Sequence, residues 1–111
     1  MSQSHYLFIE SRDPFDSPDT AFVVDAATAL KGRGHAVTVF LVQNAVLATR
    51  AGARGSRLPA LAGSGVDVWA DDFSLRERGI TAGEMTKGVR ETPIDALVDL
   101  LTQAGTKAVW H

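Results

Sequence analysis

Cysteine is absent from this chain of 111 residues. That absence excludes a disulfide framework, a thiolate metal site and a thiol nucleophile. A surplus of either charge is missing too. Eleven Lys and Arg stand against thirteen Asp and Glu, for a net charge of −2. No bulk attraction to nucleic acid or to an anionic membrane follows, so neither is expected as a partner. Long apolar runs are lacking as well. The longest is "VFLV" with its neighbours, far short of a membrane span. The opening "MSQSHYLFIESRD" has no basic segment followed by an apolar one, so no signal peptide is expected and the chain reads as cytoplasmic. Neither a GxGxxG nor a GxxxxGK[ST] phosphate cradle occurs, and no serine sits in a GxSxG elbow.

What remains is ordinary globular composition, 45% apolar and 22% charged. A chain of this length reads as one domain over residues 1–111, large enough to bury a core unaided. "HYLFIE", His5 to Glu10, reads as a buried strand. Ser17 and Pro18 read as the cap and first position of a helix, with Asp19 in its first turn. Phe22, Ala26 and Leu30, with Val23 and Ala27 beside them, read as its inward face. "HAVTVFLV", His35 to Val42, is apolar on both faces, as in a central parallel strand. Asn44 is expected to cap a helix over "AVLATRAG". A loop with a helical turn follows, "ARGSRLPALAGSG".

"VDVWA" reads as a third strand, and "DFSLRER" as a short helix closed by Gly79. A brief fourth strand is expected near Gly79–Thr81, with a turn or short helix after it. Thr92 and Pro93 start a last helix with Asp95 as a capping-box acid. Its apolar stripe is Ile94, Leu97, Val98 and Leu101. Gly105 stops it, and "KAVWH" is a final strand. Strands alternating with helices predict an α/β fold with a mostly parallel five-stranded sheet.

In such folds ligands gather at the C-terminal ends of the strands. There the chain places Asp71 and Asp72, running into the "FSLRER" helix. Capping is the simpler use for them, with Asp72 accepting from backbone N–H groups; a polar pocket is the functional one. Glu10, Asp13, Asp16 and Asp19 form a second acidic group, read as turn and cap chemistry before a cation site. Of Ser11, Ser17, Ser56, Ser64 and Ser74, none is marked as a nucleophile by its surroundings. His5, His35 and His111 lack metal-ligand spacing and are expected at the surface, the first two at the far end of the sheet. Arg50, Arg54 and Arg57 read as a solvated loop rather than an anion site. No metal site, catalytic residue or cofactor is assigned.

Three segments together carry a resemblance: "ALKGRGHAVTVFLVQNAVLA", "VDVWADDFSLRERGI" and the closing "GEMTKGVRETPIDALVDLL" with "KAVWH". In order and spacing they resemble the DsrE/DsrF/TusD-like sulfur-relay family. The resemblance implies a three-layer α/β/α sandwich and self-association, as a trimer or hexamer. It also implies an active-site cysteine carrying persulfide, whose place falls on Asp71. Ser74 falls where some members have a second cysteine, and Arg78 with Gly79 matches the "RG" that closes the short helix.

A carboxylate cannot hold sulfane sulfur as a polarizable thiolate does. The chain therefore reads as a variant without the relay chemistry, and a binding or partner role is favoured over an enzymatic one. Trp69, Phe73 and Trp110 are candidates for an interface, or for core packing. The alternative is a small-molecule binder or enzyme built on a pocket of Asp71, Asp72, Ser74 and Arg78.

Overall fold

The computed structural model describes residues 4–53 and 56–111. Five strands form one sheet: β1 (His5–Glu10), β2 (Ala36–Leu41), β3 (Asp67–Asp71), β4 (Val89–Thr92) and β5 (Thr106–Trp110). Their order is β4-β3-β2-β1-β5, and every pairing is parallel. Four α-helices connect them: α1 (Ala21–Gly32), α2 (Leu58–Gly63), α3 (Asp72–Glu77) and α4 (Ile94–Leu101). Among the described residues no helix is long and apolar enough to cross a membrane.

Alternation along the strands divides the core in two. Phe8, Val37, Val39, Leu41, Val68 and Ala70 point to the face covered by α1 and α2, with Leu75 of α3 in the same cluster. Leu7, Ile9 and Phe40 point to the other face, where Leu97 and Leu100 of α4 are their only buried helical cover among the described residues. The second layer is thus much thinner. Trp69 packs there half-buried, edge-on to the Phe40 ring at 6.4 Å between centroids.

Several expectations need correction. The fourth strand is Val89–Thr92, not Gly79–Thr81. Gly79 adopts φ +66° and ends α3, which spends those residues on a turn. A capping box then holds the next ones, with Glu84 Oε1 accepting from the Thr81 amide at 2.9 Å and hydroxyl at 2.8 Å. These bonds keep the Glu84 carboxyl below its usual range. Gly88 is what admits the chain into β4. Its φ is +93°, and a Cβ there would meet Ala62 of α2 at 2.8 Å.

The "AVLATRAG" helix is a 3-10 segment, Gln43–Thr49, whose N-cap is Val42 rather than Asn44. The Asn44 side chain is taken by Arg78 instead. In α1, Val23 and Ala27 are buried and Ala26 and Leu30 pack partly buried against the same core, so of the expected inward face only Phe22 turns out, 59% exposed. A 3-10 turn over Pro18–Thr20 precedes α1, and Ser17 makes no side-chain cap bond. Asp95 makes no cap bond either, because Pro93 occupies the N-cap of α4. The buried stripe of α4 is Leu97 and Leu100, leaving Ile94, Val98 and Leu101 exposed.

Candidate functional site

β3 ends in Asp71, and α3 starts at the next residue. Asp71, not Asp72, is the N-cap. Its backbone is still extended, which aims the side chain back across the first turn. Asp71 Oδ2 accepts the Ser74 amide at 3.0 Å and the Ser74 hydroxyl at 2.7 Å. The Ser74 oxygen in turn accepts the Gln43 amide at 2.8 Å. Gln43 is the one described non-glycine residue at positive φ, +52°. That conformation costs of order 1 kcal/mol or more, and the bond to Ser74 helps to hold it. Strand β3, helix α3 and the turn after β2 are therefore tied by one chain of polar contacts.

Asp71 is only 6% exposed. Its Oδ2 is occupied, whereas Oδ1 makes no hydrogen bond among the described residues. Asp71 and Ser74 border a cleft of about 500 Å³, shared with Gln43, Phe73, Arg78 and Trp110. Arg78 spans its rim. Its guanidinium donates to Asn44 Oδ1 at 3.0 Å and to the Ser74 carbonyl at 3.2 Å. Asp72 stands apart from this group, forming an ion pair with Arg76 at 3.7 Å on the helix surface. Such an exposed pair adds a few tenths of a kcal/mol. Of the four residues expected here, the structure brings Asp71, Ser74 and Arg78 together and leaves Asp72 outside.

Phe73 and Trp110 on the same cleft are 59% and 68% exposed. With Ile94 of α4 they form an apolar rim around a floor that mixes Asp71 and Ser74 with buried Ile9 and Leu97.

Replacing Ser74 with alanine tests the polar chain. It strips a buried hydroxyl from Asp71 and an acceptor from Gln43. The expected loss is about 1–2 kcal/mol of stability, read by urea unfolding at fixed protein concentration. The Gln43 amide should then exchange with solvent much faster than in the parent.

The second acidic group does something else. Asp13 makes an Asx-turn, with Oδ1 accepting the Phe15 amide at 3.2 Å. Glu10 and Asp19 close on His111. His111 Nδ1 lies 2.8 Å from Glu10 Oε1, and Nε2 lies 3.2 Å from Asp19 Oδ2. This histidine is not a surface residue: 21% of its side chain is exposed, and only 5% of Glu10's. The hydrogen bond and charge of Glu10 lead in raising the His111 pKa above its usual value, against the cost of burial, with Asp19 adding to the rise. No signal in the sequence pairs residues so far apart; only the alignment of β5 beside β1 does so.

The other histidines are half-buried too. His5 bonds Thr38 at 2.8 Å, and His35 packs edge-on to Tyr6. Among the described residues no group of three or more His, Asp or Glu is set to hold a metal ion. Arg57 pairs with Asp25 at 2.8 Å, and Arg50 reaches the Arg78 carbonyl at 3.5 Å. Arg54 lies outside the described residues.

The sequence profile of the DsrE/DsrF-like family matches residues 4–108. No curated protein matches the chain in sequence. Solved structures share the fold. The ychN protein from E. coli superposes with a TM-score of 0.88 at 19% identity, covering 98% of this chain and 100% of its own. MTH1491 from Methanobacterium thermoautotrophicum, a protein of unknown function, gives 0.81 at 17% identity over 98% and 100% of the two chains. BT1422 from Bacteroides thetaiotaomicron, also of unknown function, gives 0.70 at 20% identity over 96% and 94%.

Proposed function

The chain belongs to the DsrE/DsrF-like family, and on that premise we propose that it is a non-catalytic member, a cytoplasmic oligomeric binding or partner protein linked to sulfur metabolism. The observation that carries this reading is the use made of Asp71. At the position where the family resemblance expects a sulfur-carrying cysteine, a carboxylate is committed through Oδ2 to capping α3. No thiol exists anywhere in the sequence to replace it. Persulfide transfer requires a sulfur that both attacks and leaves. What the arrangement can still do is bind, with an apolar rim for protein contact and a carboxylate oxygen, Asp71 Oδ1, that makes no hydrogen bond among the described residues.

A second reading rests on that oxygen. Asp71 Oδ1 would accept a hydrogen bond from a small molecule entering the cleft, with Arg78 at the rim. This would make the protein a small-molecule binder or an enzyme using Asp71.

Solution mass is the first test of the leading reading. Light scattering coupled to size exclusion should give three or six times the chain mass of 11.8 kDa. Ile94→Asp places a charge on the apolar rim and should dissociate the assembly while leaving the far-ultraviolet spectrum unchanged. A monomeric parent protein would overturn the oligomeric part of the proposal. If instead Asp71→Asn abolishes turnover or saturable binding of a small molecule by the parent assembly, the second reading takes its place.

A further inference from the structure

A smaller cavity of about 220 Å³ opens elsewhere, at the C-terminal ends of β1 and β2 beneath the start of α1. Its floor and walls are Val23, Val39, Leu41, Ala48, Leu58 and Leu61, all buried and apolar. An engineered apolar cavity of about 150 Å³ accepts benzene, so this one has room for a ring with one short substituent.

Polar residues line it as well, among them Thr20, Arg12, Glu10 and Arg57. Thr20 lines it and is 7% exposed, yet its hydroxyl makes no hydrogen bond among the described residues. That hydroxyl keeps contact with solvent and is free to bond a ligand at the mouth. Arg12 lines the cavity too, and its guanidinium has no ion pair or hydrogen bond among the described residues. The remaining charges are engaged. Glu10 is held by His111 and by the Arg12 amide at 3.1 Å, and Arg57 by Asp25. Arg12 is therefore the uncompensated charge on the lining.

We infer that this cavity is a binding site for a small apolar carboxylate, its ring or branched chain between α1 and α2 and its carboxylate at Arg12 and the Thr20 hydroxyl. The site shares no lining residue with the Asp71 cleft, so it stands or falls apart from the function proposed there.

Benzoate is the probe, with benzamide as its neutral counterpart, titrated into the full chain and followed by methyl chemical shifts. Benzoate should shift the methyls of Val23, Val39 and Leu58 in a saturable manner. Benzamide should bind about tenfold more weakly or worse, as expected for losing a charged hydrogen bond. The exposed change Arg12→Gln should erase that preference without disturbing the spectrum of the free protein. Thr20→Val keeps the volume and should weaken benzoate several-fold. Shifts confined to the Asp71 cleft, no saturable binding, or equal affinity for benzamide and benzoate in the parent chain would each overturn the inference. A Thr20→Val protein that stays folded with undiminished affinity would remove the hydroxyl from the site and overturn it in the form stated.

Discussion

Phe40→Ala is expected to cost about 3–5 kcal/mol, the largest loss from a single truncation. Phe40 is wholly buried in the central strand β2. Most core residues share a face with many apolar neighbours, which can close over part of a void. Phe40 lies on the other face, where four further residues make up the buried cluster. Trp69 would lose its edge-on partner, and α4 would lose the ring beneath it. Little remains nearby to collapse into the space, which places the cost at the upper end of the range. Val39→Ala in the same strand faces the thick layer and should cost less, about 1–3 kcal/mol. Urea unfolding of the two variants at one protein concentration checks the difference between the layers.

The sheet could be read from the sequence because parallel strands covered on both sides announce themselves. "HAVTVFLV" is apolar at successive positions, which only a central strand can bury. The place of β4 could not be read. "VRET" has one apolar residue, and its strand exists because β3 offers it an open edge. Gly79 and Gly88 are alike as letters, yet one ends a helix and the other lets the backbone pass under Ala62. The site was half legible. A strand running into a helix marked Asp71, but local chemistry could not tell which aspartate would cap. That choice depends on which residue is still extended at the turn. Gln43 and Asn44 were missed as site residues because their roles come from contact with α3, distant in sequence.

His111→Ala should cost about 2–3 kcal/mol near pH 6 and distinctly less near pH 9. A histidine whose pKa rises on folding binds its proton more tightly in the folded chain than in the unfolded one. Its contribution is complete below the unfolded value of about 6.5 and is lost as pH rises through the higher folded value. The parent protein should therefore weaken across that interval, and the variant should not. Removing the imidazole also leaves the Glu10 carboxylate buried with only the Arg12 amide to bond it. Glu10→Gln offers the reciprocal check. It keeps the shape and removes the charge, so it should flatten the same pH dependence. Chemical denaturation at several pH values, with His111 titrated by NMR, reads both effects.

The sheet order carries a kinetic consequence. β1 is the first strand along the chain, and its outer neighbour is β5, the fifth. Pairing Ile9 with Trp110 closes a loop of nearly the whole chain. Contacts so remote in sequence form slowly, because the entropy of bringing them together is spent before they stabilise anything. Until β5 docks, β1 is an open edge of unpaired amides and carbonyls flanked by Leu7, Phe8 and Ile9, the kind of edge on which chains stick to one another. Refolding yield should therefore fall with concentration more steeply than final stability suggests, because the slow docking of β5 is what closes the route to aggregation.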